Sequence, residues 1–269
     1  MHKLIVPQLS DEQVAAAGDL LIEARAGKVV LGELPQSCRP TTFPDAQRII
    51  DYLHERSGRP AMGWKVFIPY RPMQPPVVAP IYDVLPSGSA IRQAEPPRRI
   101  EAEVVFRATA DLPARREPYR FEAAAAAVVA MPAFEALQTR YRAAPMLNRW
   151  SGERPLREFV FEGMADNNTQ GCYVVGQEHE NWQEVDFTTM RVTVSQDGRE
   201  LGSSTGGHPL QNPFLCTFAG INFLRHRAGI AKGQIIATSS FTSFFEVPLA
   251  ATITASFAGF GEVSASYAA

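Results

Sequence analysis

The chain has 269 residues, a length that fits one large domain or a domain with a small appendage. Hydrophobic residues make up 45% and charged residues 20%, so a sizeable core can be buried, and a net charge of −2 leaves no electrostatic footprint for nucleic acid. No run of about 18 apolar residues marks a membrane span.

The first segment, Met1 to Ala17, has no apolar stretch of the kind a signal peptide carries. Three cysteines, Cys38, Cys172 and Cys216, stand at unrelated spacings that suggest neither a disulfide framework nor a zinc site. A cytoplasmic location is the expectation. Cys172 and Cys216 lie among apolar residues and read as inert core thiols.

Residues 1–60 read as a helical N-terminal region. Ser10 and Gln13 form a capping box before Val14, Ala17, Leu20, Leu21 and Ala24, with Gly27 as the stop. A second helix begins near Pro44, carries Ile49, Ile50 and Leu53 on one face, and ends at Gly58. The proline-rich stretch from Pro69 to Pro97 must be extended strand and turn. Residues 61–269 then form the second region. Its expected strands are Ile100–Ala108, Gly171–Val175, Met190–Gln196, Ile235–Thr238 and Ala250–Phe257, with Asp197-Gly198 as a hairpin turn. Helices are expected over Pro118–Val129 and from Pro209 to Leu224. Strands with interspersed helices and a hairpin argue for an α+β fold around a mixed sheet.

The chemistry-bearing residues start with Glu101 and Glu103. At i and i+2 in a strand they project from one face, while Ile100, Ala102 and Val104 take the other. Adjacent carboxylates repel unless a cation sits between them, and Glu135, after an apolar run and Pro132, needs a partner of its own. The plainer reading puts Glu101 and Glu103 on the solvent face of an antiparallel strand. Lys65, within Gly63-Trp64-Lys65-Val66, is either a desolvated lysine of lowered pKa fit for proton transfer or a solvent-facing residue of an edge strand. The polar turn Asp166-Asn167-Asn168-Thr169 and the hydroxyl run Ser239-Ser240-Phe241-Thr242 can bind a carboxylate or merely cap turns. No nucleophile elbow, phosphate loop, dinucleotide fingerprint or histidine metal spacing is present.

Taken in order, these pieces resemble the 2-oxopent-4-enoate hydratase and 4-oxalocrotonate decarboxylase branch of the fumarylacetoacetate hydrolase superfamily. The matching segments are Gly63-Trp64-Lys65, Arg99-Ile100-Glu101-Ala102-Glu103 with Asp111-Leu112-Pro113, and Pro132-Ala133-Phe134-Glu135. They continue as Ala165-Asp166-Asn167, Gly171-Cys172-Tyr173-Val174-Val175-Gly176, Gly207-His208-Pro209-Leu210 and Gly233-Gln234-Ile235-Ile236-Ala237-Thr238. The resemblance implies a strongly curled mixed sheet with flanking helices. It also implies a Mg²⁺ or Mn²⁺ ion on Glu101, Glu103 and Glu135, with Lys65 as the catalytic residue beside the substrate. The implied activity is hydration of a small 2-oxo-enoate or 2-hydroxydienoate from aromatic-compound catabolism. Decarboxylation of a 2-oxo-3-enedioate, acylpyruvate-type C–C hydrolysis and a catalytically silent partner subunit are the alternatives. A homo-oligomer is implied, with association with a partner pathway enzyme a further option; no nucleic acid and no membrane enter.

Three positions depart from that pattern. Phe67 and Pro69 stand where the family has glycine and threonine, and Val77 stands where it has an acid. The lost contacts to a substrate carboxylate would need replacing, with Arg71, Thr169, Ser240 and Thr242 as the candidates. A bulkier or more apolar 2-oxo acid than 2-hydroxypenta-2,4-dienoate is the expected substrate.

Overall fold

A computed structural model of the chain describes residues 7–68, 75–93, 97–142 and 156–268. In chain order the elements are α1 (Asp11–Arg25), α2 (Phe43–Ser57), β1 (Gly63–Phe67), β2 (Val77–Ile81), β3 (Val84–Pro86), β4 (Ser89–Ile91) and β5 (Arg99–Ala108). There follow α3 (Phe121–Ala125), β6 (Val128–Leu137), α4 (Leu156–Ala165), β7 (Gln170–Val175), β8 (Arg191–Gln196) and β9 (Arg199–Thr205). The last are α5 (Phe214–Leu224), β10 (Ile235–Ser240), β11 (Phe245–Glu246), β12 (Thr252–Phe257) and β13 (Gly261–Tyr267). No helix among the described residues is long and apolar enough to cross a membrane.

The described residues divide into two compact units. The first lies within Met1–Pro60, Ile68–Pro80 and Gln138–Gln170. Here α1 starts on the capping box: the Ser10 hydroxyl accepts from the Gln13 N–H and the Gln13 side chain accepts from the Ser10 N–H. Thr42 caps α2, and Gly58, at φ 60°, ends it in the left-handed region. The helices α1, α2 and α4 pack on one another, burying Val14, Ala17, Leu21, Ile49 and Ile50.

The second unit lies within Ala61–Phe67, Ile81–Leu137 and Gly171–Ala269. Its main sheet runs β1-β10-β5-β6-β7-β3, with β11 paired to β5. Pairs β1–β10 and β7–β3 are parallel, while β10–β5 and β5–β6 are antiparallel, so the sheet is mixed, and it is strongly curled. A second sheet, β4-β13-β12-β8-β9, packs against β6. Its hairpin β8–β9 turns at Asp197 and Gly198, whose φ values of 50° and 80° are the paired positive angles such a turn requires. Helix α5 lies on β10 and β1; a Cβ on Gly220 would come within 2.5 Å of Val66 Cγ2, so this close approach depends on glycine.

Two sequence expectations fail here. The helix expected over Pro118–Val129 is only α3, and the chain turns directly into β6, a ten-residue strand. The alanine run favours helix, but β6 is buried on both faces and so shows no alternation to announce it. Pro132 is tolerated inside it because its carbonyl side faces the end of β7, where it accepts from the Gly176 N–H, and so the missing N–H breaks no bond to β5. The helix expected from Pro209 begins instead at Phe214. Residues 208–213 form turns, with Gln211 at φ 62° and Pro213 at the helix entrance.

Candidate metal centre

The register of β5 against β6 builds the site. Glu101 stands directly across from Glu135, and Glu103 from Ala133. Opposite residues of an antiparallel pair share a face, as do i and i+2 along a strand, so all three carboxylates emerge on one side of the sheet. Ile100, Ala102 and Val104 fill the other side, fully buried. On the carboxylate side the neighbouring positions are apolar: Val105, Met131, Ala133, Tyr173, Ile235 and Ala237 pack as one cluster.

Lys65 arrives from β1, in register with Ala237 of β10, which is itself in register with Val105 of β5. In a flat sheet β1 and β6 would lie three strand spacings apart, about 14 Å. The curl closes that gap on the concave side. Lys65 Nζ donates to both oxygens of Glu135, at 2.5 and 2.6 Å. Lys65 is 8% exposed, Glu103 1% and Glu135 0%, whereas Glu101 is half-buried.

One oxygen or other donor atom from each of Glu101, Glu103 and Glu135 lies within 4.8 Å of the others. A cation about 2.1–2.6 Å from each oxygen spans such a set. The donors are three carboxylates, with no thiol or imidazole among them, which suits a hard divalent ion. Both Glu103 oxygens lack a hydrogen-bond partner among the described residues. Buried carboxylate oxygens without donors are costly, and a cation would satisfy them.

The electrostatics follow from this crowding. Burial, then the charge of Glu135, raises Glu101 to about 7, with Lys65 opposing. The same two causes hold Glu103 well above the usual carboxylate range. Burial alone would push the Lys65 ammonium down, but Glu135, Glu103 and Glu101 outweigh it, so its pKa is raised. The lowered lysine pKa expected from the apolar sequence neighbours is therefore corrected: the deciding groups are carboxylates brought in from β5 and β6.

No family model matches the chain. It is 24% identical over 270 residues to the 2-keto-4-pentenoate hydratase of Paraburkholderia phymatum, covering 96% of this chain and 98% of that protein. It is 31% identical over 109 residues to the 4-oxalocrotonate decarboxylase of Pseudomonas putida, covering 39% of this chain and 40% of that one. Among solved structures, the 4-oxalocrotonate decarboxylase from Pseudomonas putida G7, complexed with magnesium and adipate, superimposes with a TM-score of 0.74 at 22% identity. That match covers 97% of this chain and 100% of the other. The fold is that of the fumarylacetoacetate hydrolase superfamily. The resemblance read from the motifs, to the hydratase and decarboxylase branch, stands.

The remaining candidates are scattered. Ser240 is the register partner of Glu103, but its hydroxyl donates to the Thr242 carbonyl at 2.5 Å and accepts from the Thr242 N–H at 3.1 Å. Thr242 Oγ1 is buried without a partner among the described residues. Thr169 belongs to the first unit, where its hydroxyl donates to the Asn168 carbonyl at 2.8 Å. Asn167, Asn168 and Thr169 all have φ between 53° and 56°, a strained left-handed run ending on a β-branched residue. Val77 is buried in β2, and Phe67 is half-buried two residues beyond Lys65, on the same face of β1. Arg71 and Pro69 lie outside the described residues.

Tyr173 lies within the Gly171–Gly176 motif, but the sequence expectations give it no role. It is fully buried in β7, and its hydroxyl has no well-formed hydrogen bond among the described residues. Burial, then the charges of Glu103, Glu135 and Glu101, hold its phenol well above the usual tyrosine range. Strand parity was the available signal, since Tyr173 and Val175 alternate with Cys172 and Val174.

Proposed function

We propose that the chain is a divalent-metal lyase of small 2-oxo acids, hydrating a 2-oxo-enoate or 2-hydroxydienoate of aromatic-compound catabolism. The carrying observation is the convergence of Glu101, Glu103 and Glu135 on one face, with the Lys65 ammonium on Glu135. The full-length relationship to a protein named 2-keto-4-pentenoate hydratase supports hydration over other lyase chemistry.

In this reading Glu101, Glu103 and Glu135 hold Mg²⁺ or Mn²⁺. A divalent cation held there would supply Lewis acidity toward the oxygens of a 2-oxo acid, stabilising negative charge that develops on them. Lys65 offers hydrogen bonds to the same oxygens and can carry a proton at Nζ. Val105, Met131, Ala133 and Ala237 keep water off the buried side of the site. Phe67 adds apolar surface beside Lys65, which favours an acid more apolar than the five-carbon dienoate.

The second reading is decarboxylation of a 2-oxo-3-enedioate, which the partial relationship to the Pseudomonas putida decarboxylase favours. A catalytically silent subunit would have no use for buried carboxylates that repel one another. The test is steady-state turnover of chelator-stripped protein on a panel of 2-hydroxydienoates and 2-oxo-enedioates, before and after adding Mg²⁺ or Mn²⁺. Activity that returns only with the cation is expected, with the dienoates, or a more apolar homologue, ahead of the enedioates. Full turnover without any cation would overturn the metal reading. Preference for the enedioates would select the decarboxylase.

A further inference from the structure

The most unusual contact in the second unit is the grip of Lys65 on Glu135. One ammonium occupies both oxygens of a carboxylate that is also within ligating distance of Glu101 and Glu103. Glu103 meanwhile has no donor at all among the described residues. The Lys65 ammonium also feels the charges of Glu103 and Glu101, but it donates to both oxygens of Glu135. A carboxylate held at both oxygens by an ammonium must release one of them to serve as a metal ligand. The incoming cation must also accept a like charge a few ångströms away.

We infer that Lys65 is the resident counter-ion of the carboxylate site, and that by holding Glu135 it sets how weakly the site takes a divalent cation. The inference rests on the metal-lyase reading and goes beyond it. It gives Lys65 a role in loading the site, separate from any role in moving protons. Like charges about 4 Å apart in a partly screened protein interior repel strongly enough to change affinity at least about tenfold. The exchange has a second consequence. When Glu135 gives one oxygen to a cation, Lys65 keeps the other and turns a freed N–H toward the open side of the site. Loading and the arming of Lys65 are then one event.

The test is calorimetric titration with Mg²⁺ and with Mn²⁺ at pH 8, on the wild-type protein, Lys65→Met and Lys65→Gln. Both neutral variants are expected to bind at least about tenfold tighter than wild type. Each should also melt at a lower temperature than wild type without the cation, and gain more on adding it. Equal or weaker binding by the neutral variants would overturn the inference, while leaving the metal reading intact. A wild-type protein that takes no divalent cation would instead sink the metal reading itself. Should neither variant fold, the side-chain ¹⁵N resonance of Lys65 in the wild-type protein decides the matter. It must shift as Mg²⁺ is added; an unmoved resonance at saturation would count against the exchange.

Discussion

Asp166, in the first unit, and Glu103, in the second, are both carboxylates with almost no exposure, and the chain surrounds them in opposite ways. Asp166 accepts from the Arg140 guanidinium, from the Arg140 N–H at 2.8 Å and from the Thr139 hydroxyl at 3.1 Å. Arg140 in turn donates to the Asp166 carbonyl at 2.7 Å. This charge is neutralised and its lone pairs are used. Glu103 has two oxygens without hydrogen-bond partners among the described residues and two further carboxylates close by, and the nearby ammonium donates to both oxygens of Glu135. A buried ion pair that is complete holds structure together; a buried anion that is left incomplete stores a demand for a ligand. The difference separates a structural acid from a functional one without any appeal to chemistry at the site.

The comparison breaks most visibly at Asp166. Asp166→Ala leaves Arg140 buried and unpaired, and a loss of about 3–5 kcal/mol in unfolding free energy is expected. Urea denaturation read by far-UV circular dichroism measures it. A loss below about 1 kcal/mol would mean that the pair is no tighter than a surface contact.

The second largest effect is one of pH. Glu101 is raised from 4.5 to about 7, and Glu103 is held well above the usual carboxylate range. A carboxyl whose folded pKa lies above its unfolded value binds its proton more tightly when folded. That contribution is complete below the unfolded value and is lost as pH rises through the folded one. The cation-free protein should therefore lose stability between about pH 4.5 and 7. Saturating Mg²⁺ should reverse the trend, because ligation needs the deprotonated forms and strengthens as pH rises. Melting temperatures across this range, with chelator and with Mg²⁺, give the two slopes; parallel slopes would contradict the cluster's role as a cation site.

A smaller change of stability is expected at Glu103 itself. Glu103→Gln replaces, at nearly constant volume, a carboxyl whose charged form the site disfavours, so at pH 8 the cation-free protein should be as stable as wild type or more so by about 1–2 kcal/mol. The Mg²⁺-induced rise in melting temperature should vanish, and metal-dependent turnover with it. A Glu103→Gln protein markedly less stable than wild type in chelator would place Glu103 with Asp166 among the structural acids.

How much of this was legible in the sequence follows from how local each cause is. The capping box at Ser10, the Gly58 stop and the Asp197-Gly198 turn are decided by neighbours within three residues, and all three stand in the structure. The shared face of Glu101 and Glu103 is likewise a matter of strand parity. β6 was not legible, because a strand covered on both faces carries no alternation and follows an alanine-rich run that favours helix. The sign of the Lys65 shift was hidden for a different reason. Trp64 and Val66 suggest desolvation, but the carboxylates that win come from 36 to 70 residues further along the chain, and only the curl of the sheet brings them in.

The smallest effect isolates hydroxyls in the same way. Tyr173 and Tyr141 are both buried with an oxygen that has no hydrogen-bond partner among the described residues, Tyr173 in the second unit and Tyr141 in the first. Removing a buried, unsatisfied hydroxyl should cost little, and Tyr173→Phe and Tyr141→Phe should each shift stability by no more than about 1 kcal/mol, toward greater stability. Their activities should differ. The Tyr173 phenol feels all three carboxylates of the site, stays protonated, and can donate to a substrate oxygen or to Glu135. Tyr173→Phe should therefore lower kcat by about tenfold, the worth of one neutral hydrogen bond strengthened in the transition state, while Tyr141→Phe leaves it unchanged. Equal kcat in both variants would make Tyr173 part of the apolar floor, leaving the chemistry of this face to Lys65 and the three carboxylates.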